Sequence, residues 1–347
     1  MTRKAVALIS GGLDSLLAAR LVQQQGIQVE GINFYTGFCV EGHTHAIRNR
    51  DRGRVKRNNA LWVAEQLGIK LHIIDIVEEY KDVVINSKHG YGANLNPCLD
   101  CKIFMVRKAH EWLRANDFDF IITGEVIGQR PKSQRKRCMP VIAQESGAED
   151  LLLRPLCAQN LAPTLPEREG WIERAQLRDF SGRSRKPQMA LAGEFGFEDY
   201  AQPAGGCCFL TDQTYSVKLQ DLWDNRGRRG YELDDIMLLK VGRHIRPSRD
   251  FKLIIAREEG ETNFLSGYRH QFQTIKTVSH AGPLALVEGE PLDAEQLELA
   301  CAITARFSKG RDADSVELRF SDREQDSRSI HVKPLAADQI EADWIVA

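Results

Sequence analysis

Residues 5–15, Ala-Val-Ala-Leu-Ile-Ser-Gly-Gly-Leu-Asp-Ser, restrict what this chain can fold into more than any other stretch. A short apolar run predicts a buried strand, the glycine pair a tight turn, and Leu16, Leu17, Ala19, Leu21 and Val22 an ensuing helix. In that order, the backbone amides from Ser10 to Ser15 converge on one small volume at the positive end of a helix. Such a volume suits an anion. A Walker A loop places Lys-Ser or Lys-Thr after its last glycine. Leu13-Asp14-Ser15 stands there instead, so terminal phosphoryl transfer is not the chemistry expected.

The alternation continues along the chain. Residues 29–34, 71–76, 119–123 and 151–156 read as further strands with helical patterns between them. The expectation is an α/β fold with an open, doubly wound, mostly parallel sheet, whose ligands bind beyond the carboxyl ends of the strands. Thr36 follows the second strand, and Thr123, Gly124 and Glu125 end the fourth, so adenosine contacts are expected there beside the loop. The loop at 35–49 carries Cys39, His43 and His45, a spacing that fits no zinc template. It leads into Arg48, Arg50, Arg52, Arg54, Lys56 and Arg57, which read equally as a solvated face or a phosphate contact. Further on, short β-like runs at 237–241, 252–255, 284–287, 316–320 and 330–332 surround one helix at 294–307. They predict a small C-terminal α+β domain at 235–347, joined by a linker or helix at 213–234 to a catalytic domain at 1–212.

A net charge of −1 over 347 residues gives no overall attraction to nucleic acid, so RNA contact must come from local clusters. Lys132 and Arg135 in one cation-rich loop, and Arg183, Arg185 and Lys186 in another, are the candidates for RNA phosphates. No run approaches the roughly 20 apolar residues of a membrane span, and no signal peptide opens the sequence. A cytoplasmic, reducing setting with no membrane partner is therefore expected. There, eight cysteines read as metal ligands, reactive thiols or core residues rather than disulfides. Cys98-Leu99-Asp100-Cys101 opens a helix, where the dipole favours thiolate, and the pair Cys207-Cys208 follows more than a hundred residues later. Two cysteines plus a distant third suit a [4Fe-4S] cluster with one open iron, a zinc site, or a redox pair carrying a persulfide, and the spacing leaves all three open.

Ser10-Gly11-Gly12-Leu13-Asp14-Ser15 resembles the loop of the PP-loop (N-type) ATPases, whose fold is adenine nucleotide alpha hydrolase-like. The resemblance implies that Ser10, Gly11, Gly12, Asp14 and Ser15 hold the pyrophosphate half of ATP, with Mg2+, and leave the α-phosphorus open to attack. Asn96-Pro97-Cys98-Leu99-Asp100-Cys101-Lys102, the loop from Gly124 to Gln134, Leu153-Arg154-Pro155-Leu156, the loop from Ser181 to Lys186 and Cys208-Phe209 are similar to the tRNA thiolation branch, the 2-thiouridine and 4-thiouridine synthases. That likeness implies a [4Fe-4S] cluster on Cys98, Cys101 and Cys208, with Cys207 as the alternative third ligand, and Asp14 and the three cysteines as catalytic residues. The chain from about residue 235, including residues 238–244 and 263–265, resembles the NFACT-R domain, which implies RNA contact. The implied activity is ATP-dependent thiolation of a uracil in tRNA or another RNA. Sulfur would come from free sulfide or a donor protein, and a homodimer is one assembly. Two other readings accompany it: a sulfur insertase acting on a small molecule, and a non-enzymatic zinc protein that binds RNA.

Overall fold

The structure is a computed structural model that describes residues 2–40, 57–201, 207–289 and 292–346. His43, His45 and the basic residues from Arg48 to Lys56 lie outside the described residues, as do the two glycines before Cys207. The described chain forms two compact units that divide between Cys207 and Cys208.

The first unit runs β1 (Lys4–Leu8), α1 (Leu13–Gln23), β2 (Gln28–Tyr35), α2 (Asn59–Leu67), β3 (Leu71–Asp75), α3 (Val77–Ile85), α4 (Cys98–Ala115), β4 (Phe120–Ile122), α5 (Cys138–Glu145), β5 (Leu152–Leu153), α6 (Leu165–Arg168) and α7 (Lys186–Glu194). Its five strands lie in the order β3-β2-β1-β4-β5 and every pairing is parallel, with Ala5 opposite both Val29 and Phe120. Side chains on a strand alternate between its faces, and both faces of β1 are covered. Ala5 and Ala7 join a core with Leu16, Leu17 and Leu191, while Val6 joins a second core with Ile103, Val106 and Ile142. Helices on both faces make the sheet doubly wound, as expected. The strand order reverses between β1 and β4, so a crevice opens beyond their carboxyl ends at the place where such sheets bind ligands.

The second unit runs α8 (Gln213–Arg226), α9 (Leu233–Leu238), β6 (Arg243–Ile245), β7 (Phe251–Ile255), α10 (Glu259–Ser266), β8 (Gln273–Thr277), β9 (Leu284–Gly289), α11 (Ala294–Arg306), β10 (Val316–Ser321) and β11 (Ser327–Val332). Its sheet is antiparallel, in the order β11-β10-β8-β9-β7-β6, and Leu297, Cys301 and Ile303 of α11 pack into its core. The run expected as a strand at 237–241 is instead the end of α9 and the turn after it. A capping box between Glu232 and Asp235 starts that helix and overrides the β-like composition. No helix among the described residues is long and apolar enough to cross a membrane.

Candidate active site at the carboxyl end of the parallel sheet

The glycine loop between β1 and α1 is shaped by close approach. Gly11 has φ of +80°, and a Cβ placed on it would lie 2.7 Å from the Asn59 Cβ, so no side chain fits there. Gly12 caps α1 in an extended conformation and no side chain caps the helix, which leaves the amide end open to an anion. Inside the loop, the Ser15 hydroxyl donates to the Gly12 carbonyl at 2.8 Å. A Cβ on Gly124, just beyond β4, would lie 2.5 Å from the Asp14 carbonyl carbon and 2.6 Å from the Ser15 nitrogen. The end of β4 is thus pressed directly onto the first turn of α1.

Asp14 is the centre of a polar network that sequence reasoning did not anticipate. Its Oδ2 accepts from Gln129 Nε2 at 2.5 Å and from Arg185 Nη1 at 3.0 Å, and Gln129 Oε1 in turn accepts from Gln188 Nε2 at 2.6 Å. The other oxygen, Oδ1, is buried without a hydrogen-bond partner among the described residues. Burial pushes the Asp14 carboxyl above its ordinary value, against the pull of Arg185, Gln129, Arg130 and Gln188. Arg185, one of the expected RNA contacts, pairs with Asp14 in the first turn of α1 at 3.0 Å.

Thr36 and Thr123 are both buried at the strand ends where adenosine contacts were expected. The Thr36 hydroxyl accepts from the Phe38 amide at 3.3 Å. Glu125, also buried, accepts from Thr123 Oγ1 at 2.8 Å and from Arg154 Nε at 3.2 Å, and Arg154 donates a second time to the Met139 carbonyl. Burial opposes the charge on Glu125, but Arg154, Lys102 and the Thr123 hydroxyl outweigh it and hold the carboxyl below its ordinary value.

The cysteine station begins α4. Cys98 Sγ donates to Ser133 Oγ at 3.2 Å, and Asp100 accepts from Ser87 Oγ at 2.6 Å and from the His89 amide at 3.0 Å, which ties the helix start to the loop before it. The expectation that the helix start favours thiolate fails at Cys101. Burial, reinforced by the charges of Cys207 and Cys98, pushes this thiol up to about 12. Cys207 is exposed and belongs to the first unit, whereas Cys208 belongs to the second. Among the described residues no three His, Cys, Asp or Glu side chains gather as a metal site.

The remaining candidate cations are surface groups or locally tied. Arg183 and Lys186 are exposed, Arg135 is exposed and donates to the Pro131 carbonyl, and Lys132 is half-buried and donates to the Gly90 carbonyl. Burial pulls the Lys132 ammonium down, against Asp100, Cys98 and Cys138, which places it beside the cysteine station.

Comparison with known proteins matches both units. A family described as tRNA methyl transferase HUP domain matches residues 3–147, and one described as NFACT protein RNA binding domain matches residues 242–345. The tRNA-specific 2-thiouridylase MnmA of Salmonella paratyphi B is 30% identical over 351 residues, covering 92% of this chain and 90% of that protein. The same enzyme of Klebsiella pneumoniae (strain 342) is 24% identical over 353 residues, with the same coverage of 92% and 90%. Among solved structures, a 4-thiouridine synthetase–RNA complex with bound ATP aligns with a TM-score of 0.38 and 22% identity, over 61% of this chain and 46% of that one.

Proposed function

The chain belongs to the tRNA-specific 2-thiouridylase family, and from that premise we propose that it is an ATP-dependent RNA sulfurtransferase acting on a uracil of tRNA. The carbonyl oxygen of the base attacks the α-phosphorus of ATP, pyrophosphate leaves, and a hydrosulfide equivalent then adds at the activated carbon and expels AMP. The products are a thiocarbonyl base, AMP and pyrophosphate, so oxygen leaves on AMP and sulfur takes its place. The adenylate turns a poor leaving oxygen into a good one.

The observation that carries this reading is the buried, unpartnered Oδ1 of Asp14 on the first turn of α1. A hard carboxylate oxygen beside an open helix start suits Mg2+ bound together with a polyphosphate, and Asp14 is the residue that would hold it. When bound, Mg2+ neutralises charge on the departing pyrophosphate. The chain's own groups do the rest. The loop amides bind the phosphates, Arg185 holds Asp14 in place before ATP arrives and then lies within reach of the new negative charge, and Gln129 and Gln188 fix the carboxylate orientation.

The cluster implied for Cys98, Cys101 and Cys208, or Cys207, is the finer reading. The thiols are of the right chemistry and the charges of Cys98 and Cys207 are felt at Cys101, so these residues would hold it, and no step is derived through iron. Anaerobic purification tests it: about four irons per chain supports the cluster, and an iron-free protein with full activity contradicts it. The function itself is tested by mass spectrometry of tRNA nucleosides from cells lacking the protein. Loss of one thionucleoside is expected, and an unchanged set of thionucleosides contradicts the reading.

A further inference from the structure

The second unit contains a cavity of about 620 Å³ lined by Arg243, His244, Arg306, Phe307, Arg311 and Ile345, among others. Its charge is poorly balanced. Arg306 and Arg311 share one carboxylate, Asp312, at 3.8 and 3.5 Å, and that carboxylate is 83% exposed, so solvent screens the pairing. Arg243 makes no ion pair among the described residues and lies with its guanidinium 5.0 Å from the Phe307 ring centroid, a cation–π pair. His244 is buried, donates from Nε2 to the Val241 carbonyl at 3.0 Å, and leaves Nδ1 without a partner. Burial, with Lys218 and Lys252 nearby, pulls this ring below its ordinary value, so it adds no positive charge to the lining.

From these groups together we infer that the cavity binds a single unstacked nucleotide, its phosphate at Arg306 and Arg311 and its base against Arg243, Phe307 and Ile345. The volume lies within the ~300–1,000 Å³ of small-ligand pockets. A duplex presents a continuous ridge that cannot enter a concavity, whereas a splayed nucleotide can. A bare inorganic anion would engage the arginines but offers the apolar wall at Phe307 and Ile345 nothing. The nucleotide comes either from a single-stranded stretch of RNA or from the free mononucleotide pool. Only the choice of RNA as natural polymer rests on the proposed function.

The test is fluorescence anisotropy on the full chain with a labelled uridine hexamer, without ATP or any sulfur source. Arg306→Ala with Arg311→Ala is expected to weaken hexamer binding about tenfold, the scale of one or two lost phosphate contacts. UMP is expected to compete at least ten times better than sulfate, as the contacts to the base require. Competition by UMP at the hexamer's own concentration identifies the free nucleotide as ligand, and much weaker competition identifies RNA. Should the double variant fold poorly, a hexamer containing 4-thiouridine is photo-crosslinked to the wild-type protein, and the Phe307 peptide is expected to carry the adduct. Unchanged hexamer affinity in a folded variant, sulfate competing as well as UMP, or adducts confined to residues before Cys208 each overturn the inference. Because neither ATP nor sulfur is present, this result and the thiolation result stand or fall separately.

Discussion

Two helices of the first unit, α1 and α4, each carry an ionisable group in the first turn: Asp14 in one and Cys101 in the other. The helix dipole favours the charged form at both positions, by about 0.3–1 kcal/mol at an exposed site. Burial outweighs it at both, raising the Asp14 carboxyl and pushing the Cys101 thiol up to about 12. The neighbours differ. Asp14 faces Arg185, Arg130 and amide donors, so its charge lacks only one further cation at Oδ1, whereas Cys101 faces two more thiols that repel its charge. The same helix position therefore gives different environments: one carboxylate is held among cationic and amide partners with one oxygen unpartnered, and the other start disfavours the thiolate.

The sharpest way to break this contrast is to alkylate the protein and follow the Cys101 peptide by mass spectrometry. A thiol at about 12 rather than 9.0 is thiolate about a thousandfold less often near neutral pH, so its labelling should be slower by that factor. Because the shift is upward, the rate should climb about tenfold per pH unit until near 12. Labelling as fast as free cysteine would remove the burial argument.

Next in size is Glu125→Gln. Glu125 and Arg154 are 2% and 6% exposed in their side chains, so removing the carboxylate strands a buried guanidinium and should destabilise by about 3–5 kcal/mol in urea. The Glu125 carboxyl is held below its ordinary value, so its contribution is present above the ordinary Glu range and is lost as pH falls through the folded value. Gly124→Ala should cost less, about 1–3 kcal/mol, because its Cβ would displace the Asp14 backbone, and AMP formation should fall with it. Smallest is Asp14→Asn. Since the Asp14 carboxyl is raised, the folded state disfavours its charge and loses stability as pH rises through that value, so the neutral variant should melt at or slightly above the wild-type temperature in the absence of ATP.

How much of this was legible depended on distance along the chain. The glycine loop, the central β1 and the helix opening at Cys98 were readable because neighbouring residues alone determine them. The Asp14 network was not, since Arg185 is 171 positions away and Gln188 lies 59 from Gln129, and neither a surface-type arginine nor a glutamine declares a partner. A glutamine shortly after a strand end is the only hint the sequence carried. The pKa of Cys101 was misjudged because helix position is visible in sequence and burial is not. In the second unit, β8 was missed because Gln273-Thr274-Ile275-Lys276-Thr277 is too polar to read as a buried strand, although four of its five residues are buried. The basic run from Arg48 to Lys56 lies outside the described residues.

The most direct test combines purified protein, ATP, Mg2+, unmodified tRNA and a sulfide source, with AMP and thionucleoside counted together. The account predicts one AMP for each thionucleoside in the wild type. It predicts loss of both products by at least about a hundredfold in Asp14→Ala, the scale of removing one electrostatic group from such a centre. ADP in place of AMP, or undiminished AMP and thionucleoside from Asp14→Ala, would contradict it.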